Sequence, residues 1–137
     1  MNANAEAVTR FVEAINGHDV DAIAGLMTED HVFTDSGGQQ ERGREAMRSG
    51  WREYFALVPD YWITVEHTAA DGPMVGLFGR AGGTWAVKGK LRVENRWSVP
   101  AAWLALVRDG LVAEWRVYAD LKPLYDILAR LQNEPEA

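Results

Sequence analysis

The hydrophobic repeat of this chain changes once, at Pro59-Asp60, and that change restricts the folds open to it. Before it, apolar residues recur at helical spacing; after it, they alternate. Val8, Phe11, Val12 and Ile15 mark a helix over residues 5–15. Asn16-Gly17-His18 ends it, with Gly17 suited to the left-handed position after a helix. Asp19 can cap a short second helix carrying Val20, Ile23, Leu26 and Met27. His31 to Asp35 alternates as a short strand, and Ser36-Gly37-Gly38-Gln39 reads as a loop. A third helix over 44–58 places Met47, Trp51, Tyr54, Phe55 and Val58 on one stripe, and Pro59-Asp60 stops it.

The rest reads as strands. The first covers 62–67. A second covers 74–78 and resumes at 84–87 after Gly79-Arg80-Ala81-Gly82-Gly83. Lys88-Gly89-Lys90 is a turn, and a long strand follows over 93–107, bent at Pro100. Asp109-Gly110 is a hairpin turn, 111–119 the last strand, and 122–131 a closing helix. Helices first and a strand meander second is an α+β order. A length of 137 residues, 47% of them apolar, suits a single domain spanning 1–137. The run Val99 to Val107 is apolar on both faces, so both should be covered. The helices can cover one. A second copy of the sheet is the simplest cover for the other, so a homodimer through the outer sheet face is expected.

A net charge of −6 argues against a nucleic-acid partner, and no basic cluster or basic helix suggests a membrane surface. The absence of cysteine excludes disulfides and thiolate chemistry. Met1 to Glu6 has neither a basic nor an apolar signal region, and no apolar run approaches the ~20 residues of a membrane span, so a cytoplasmic location is the default. Six Trp residues are unusual, since a buried indole N–H wants a partner. They point to an aromatic pocket or an interface.

Four stretches carry a family likeness. They are Phe11 to Asp21, Glu29 to Asp35, Arg42-Gly43-Arg44-Glu45-Ala46, and Val107 to Val112 with Trp115. In this order and spacing the chain resembles the nuclear transport factor 2-like superfamily. That superfamily includes SnoaL-type polyketide cyclases, ketosteroid isomerase and limonene epoxide hydrolase. The resemblance implies a curved mixed sheet wrapped around the N-terminal helices, with a cone-shaped pocket for a small apolar organic molecule. It does not specify an activity.

The resemblance places Asp35 at the general base of ketosteroid isomerase, just before a Gly-containing loop. The other reading of Asp35 is a strand-end residue capping the following turn. The isomerase's two oxyanion donors fall on Phe11 and Ala102, so that mechanism lacks its electrostatic stabilisation here. The stretch Glu114 to Asp120 is similar to the last strand of limonene epoxide hydrolase, but its catalytic Asp falls on Val117. No partner acid occurs in 75–85. Asp120 is expected to serve the start of the last helix rather than the pocket.

Expected pocket walls are Phe33, Trp51, Phe55, Trp85, Leu104 and Trp115, together with Phe11, Ala102 and Val117 where the relatives carry polar groups, and Tyr54 is the hydrogen-bonding handle. His31 shares the face of Phe33 and Asp35, but lies about 13 Å from Asp35 along an extended strand. It is read as a core or edge histidine that borders the pocket. Trp97, Trp103 and Tyr118 are assigned to the outer, dimer-forming face. Arg80, Arg92, Arg96 and Arg116 are read as partners for acids, with an anionic ligand left open. No nucleotide loop and no metal-ligand spacing occurs, so neither a cofactor nor a metal is expected.

Three functions remain. The first is a cofactor-independent isomerase, cyclase or dehydratase with Asp35 as base and Tyr54 or a Trp N–H as polar group. The second is a non-catalytic module binding a hydrophobic ligand. The third is a structural dimer whose cone is filled by its own side chains.

Overall fold

A computed structural model describes residues 2–134. The chain opens with a helical hairpin, α1 (Ala3–Asn16) and α2 (Val20–Gly25). Asn2 caps α1 by accepting from the backbone of Asn4 and Ala5, and Asp19 caps α2 through Ala22 N at 3.0 Å. The left-handed residue between them is not Gly17, whose φ is −81°, but His18, at φ 52°. That conformation is uncommon for a residue with a side chain. His18 is held in it by its ring, which meets the Tyr61 carbonyl at 2.6 Å and stacks on Phe55.

Strand β1 (Met27–Thr34) is followed by a short β2 (Gln40–Arg42) and by α3 (Arg44–Leu57). The strands β3 (Trp62–Asp71), β4 (Met74–Thr84), β5 (Arg96–Arg108) and β6 (Leu111–Ala119) complete a six-stranded sheet of order β2-β1-β6-β5-β4-β3. The pairing of β1 with β6 is parallel and all others are antiparallel, so the sheet is mixed and open. Helix α4 (Lys122–Asn133) closes the chain. The architecture is the expected α+β one. No helix among the described residues is long and apolar enough to cross a membrane.

Several details differ from the sequence reading: Met27, read on the second helix, opens β1, β2 is an additional strand, and β3 runs on to Asp71. The Gly-rich stretch does not interrupt β4 but lies inside it. There the glycines permit close approach: a Cβ on Gly79 would lie 1.8 Å from the Thr64 carbonyl oxygen, and one on Gly83 would lie 2.4 Å from Val58. The start of the long strand is instead a 3-10 turn at Val93–Asn95. The hairpin at Asp109-Gly110 has φ of 54° and 77°, as the tight Asp-Gly turn requires.

Helix α1 packs across the inner face of β3 to β6, and α3 packs on β1 and β2. Val8, Phe11, Ile15, Trp103 and Trp115 form the closed end of the core between them. Two hydrogen bonds of 2.9 Å between Asn16 and Ile63 fasten the end of α1 to β3. At the other end the layers diverge, and a cavity remains.

Candidate active site

The cavity holds about 260 Å³ and lies between α3 and the inner face of the sheet. Helix α3 contributes Met47, Gly50, Trp51 and Tyr54, which recur at helical spacing. From the sheet come Phe33 of β1, Ala81 of β4, Trp97 and Ala101 of β5, and Trp115, Val117 and Ala119 of β6. On β5 and β6 these positions have one parity, as a pleated strand demands. Tyr61, from the link between α3 and β3, and Leu121, ahead of α4, complete the wall. The β1–β2 hairpin supplies the polar side: Asp35, Ser36 and Glu41.

Asp35 is half-buried at the end of β1. Its Oδ1 accepts from Gly37 N and Gln39 N, each at 2.9 Å. The turn-capping reading and the cavity position are therefore both realised in one carboxylate. Glu41 lies across the hairpin. Its Oε2 would be 3.8 Å from a Cβ on Gly50, so the carboxylate sits against the bare stretch of α3.

The aromatic side chains pack as one cluster. Tyr54 and Tyr61 meet edge to face at 5.0 Å, Trp51 meets Tyr54 at 85°, and Tyr61 reaches Trp97 at 6.3 Å. Burial pushes the phenols of Tyr54 and Tyr61 well above the ordinary value, and Tyr61 is raised further by its neighbour Tyr54. Both remain protonated over the whole working range. The indole nitrogens of Trp51 and Trp97 are buried with no hydrogen-bond partner. Among the described residues no three His, Asp or Glu side chains gather as a metal-binding set.

Of the residues singled out in the sequence, Asp35, Tyr54, Phe33, Trp51, Trp115 and Val117 surround the cavity. Six others do not. Phe11 is fully buried beneath it, packed on Trp115 at 5.0 Å and His31 at 6.2 Å. His31 is a core histidine, also fully buried, with Nδ1 donating to the Val112 carbonyl at 2.7 Å. Phe55 turns aside to stack on His18. Trp85 lies past the end of β4, where its backbone N–H donates to the Asn95 carbonyl at 3.0 Å. Ala102 and Leu104 point outward, because β5 has the opposite parity to that expected: Trp97 and Trp103 face inward at 4% and 2% exposure. Trp97 and Trp103 are thus withdrawn from the outer face, where Tyr118 remains, 53% exposed. Asp120 bonds Lys122 N at 3.0 Å, at the start of α4, and does not line the cavity.

Sequence reasoning missed Glu41, Tyr61 and Trp97. For Trp97 a signal existed: Arg96 and Ser98 are polar neighbours that mark the outer face. Glu41 and Tyr61 carry no such signal, since β2 is short and wholly polar and Tyr61 is in a link.

A family model for the SnoaL-like domain matches residues 8–115. No curated protein matches the sequence. Among solved structures, a protein assigned to the SnoaL-like polyketide cyclases of Shewanella denitrificans OS-217 superposes with a TM-score of 0.81 at 16% identity, over 95% of this chain and 99% of that one. An LEH-like epoxide hydrolase of M. tuberculosis gives 0.77 at 21% identity, over 93% and 90%. A protein of ketosteroid isomerase-like fold from Catenulispora acidiphila DSM 44928, in complex with trimethylamine, gives 0.75 at 23% identity, over 87% and 88%. At these identities the likeness is one of fold.

Proposed function

The chain belongs to the SnoaL-like domain family, and from that fold and its cavity we propose that it is a cytoplasmic protein that moves a proton on a small, largely apolar molecule. The reaction class is isomerisation, cyclisation or dehydration, with no cofactor invoked. One observation carries this reading: Asp35 borders an apolar cavity with Oδ1 fixed by two backbone amides. No donor among the described side chains or amides engages its Oδ2, which is the atom available to take a proton. A base must come within about 3 Å of that proton. The two amide bonds set the carboxylate's direction before any substrate arrives. Tyr54 and Tyr61 are the neutral donors for a substrate oxygen, since their phenols stay protonated. A cavity of about 260 Å³ is smaller than the roughly 300–1,000 Å³ of drug-sized pockets, so the substrate is small.

The test is exchange of the carbon-bound protons of small cyclic ketones in D2O, followed by NMR. Exchange above the buffer rate is expected, falling by about 10²–10⁴-fold in Asp35→Asn. Unchanged exchange in that variant would remove Asp35 as the base.

A non-catalytic carrier is the second reading. The same two amide bonds favour it, because they complete a turn cap that needs no chemistry. The space beside Asp35 weighs against a cone filled by its own side chains. The trimethylamine held by the Catenulispora protein adds small amines to the ligands to be tried on this chain. A second copy of the chain over the outer sheet face is the proposed partner.

A further inference from the structure

The cavity has a consistent electrical character, and it concerns the charge of the ligand. Six aromatic side chains border the space: Phe33, Trp51, Tyr54, Tyr61, Trp97 and Trp115. Among the described residues, the charged ones bordering it are Asp35 and Glu41, and no Lys, Arg or His side chain lines it. Of the arginines near it in sequence, Arg44 bonds the Met27 carbonyl, Arg48 pairs with Asp21 and Glu45, and Arg42 bonds Gln40 on the other face of β2, while Arg52 and Arg96 are exposed and do not line it. Arg80 and Arg116, once candidates for holding an anion, lie on the outer face with Ser98 and Glu114.

The available polar atoms point the same way. The indole N–H groups of Trp51 and Trp97, which would receive an anion, are themselves buried and expose no surface to a ligand in this structure. What remains are the carboxylate oxygens, which only accept, and the Ser36 hydroxyl and two phenols, which can accept as well as donate. An aromatic ring presents a negative face, and a cation over that face is attracted to it. Tyr54 meets Trp51 and Tyr61 near right angles, at 85° and 84°, while Trp51 and Tyr61 are tilted by 43°, so the three form a corner of π faces and edges rather than a flat stack. The net charge of −6 adds a long-range field that draws cations in.

We infer that the cavity selects an organic cation, a small amine that is protonated or quaternary and has an apolar body. This rests on the pocket reading above and adds the charge of its ligand. An anion would meet two like charges and the ring faces. A neutral molecule would gain the apolar walls but leave both carboxylates without a counter-charge.

Three isosteric probes separate the terms: benzyltrimethylammonium, neopentylbenzene, in which carbon replaces the nitrogen, and phenylmethanesulfonate. Quenching of Trp fluorescence reports binding, because Trp51, Trp97 and Trp115 border the space. The cation should bind at least tenfold more tightly than the neutral probe, and the anion should not bind measurably. Glu41→Gln, an exposed position on β2, should weaken the cation several-fold and leave the neutral probe unchanged. Added salt should weaken the cation alone. Equal or tighter binding of the neutral probe would overturn this inference while leaving the pocket intact. Binding by none of the three would overturn the pocket reading with it.

Discussion

Tyr54 and Tyr61 show how much of this site depends on burial of single groups. A phenol held among rings is costly to ionise, and the second is harder still beside the first. Alkaline titration by ultraviolet absorbance should therefore show two phenols that resist ionisation until the fold opens. Tyr54→Phe and Tyr61→Phe should each remove one of them. Two late phenols in either variant would contradict the assignment. His31 gives the acid counterpart. Burial holds its imidazole below the ordinary 6.5, against the raising influence of the Val112 carbonyl. As pH falls below about 6.5 the unfolded chain takes up a proton that the folded chain refuses. Stability must then drop with pH, by up to about 1.4 kcal/mol per unit. Urea midpoints measured from pH 7 downward should show this slope, and His31→Phe should flatten it. An unaltered slope in the variant would assign it to other groups. Asp35 was legible in the sequence because an Asp at a strand end before a Gly turn carries a family position. Glu41 and Tyr61 were not, because a side chain in a short polar strand or a link takes its direction from tertiary packing alone.

At the scale of elements, period identified nearly everything and parity failed once. The helices of the first half and the strands of the second half stand where their repeats put them. In β5, however, the run Val99 to Val107 has apolar residues at both parities, so alternation cannot say which set faces the core. Packing decides it: Trp97, Val99, Ala101, Trp103 and Ala105 take the inner face, where Trp103 stacks on Trp115 at 6.3 Å. The Gly-rich stretch was misread as a break for a related reason. Glycine weakens a strand by itself, but here it makes room for neighbouring backbone. Within β4 that yields a paired prediction. Gly79→Ala would drive a Cβ into the Thr64 carbonyl beside the β3 bulge, and should cost about 1–3 kcal/mol or more. Gly76→Ala would meet the Phe78 ring at 3.5 Å and the Ala69 carbonyl oxygen at 3.8 Å, both ordinary contacts, and should stay within about 0.5 kcal/mol of the parent. Chemical denaturation of the two variants checks both. Similar midpoints would show that the strand yields at Gly79.

At the scale of the whole molecule, the inner face of the sheet is occupied by helices and the outer face is not. The pairing of strands brings Phe78, Ala102 and Tyr118 into one outward row, with Met74, Leu106 and Glu114 in another and Leu104 beside Arg116 between them. Phe78 is 48% exposed and Met74 43%. Large apolar side chains gathered on one face, edged by the Arg80–Ser98 and Arg116–Glu114 contacts, favour association over solvation. A two-fold axis through such a face is self-complementary, since each Arg116 can meet the partner's Glu114 as well as its own. The proposed dimer predicts a sedimenting species of twice 15.3 kDa at micromolar concentration. Phe78→Glu puts a charge into the centre of that face without touching the cavity or the core, and should yield monomer with an unchanged far-ultraviolet spectrum and unchanged probe binding. A parent chain that sediments at 15.3 kDa would reject the dimer. A variant that stays dimeric would move the interface to another surface, and the apolar outer parity of β5 would then need another cover.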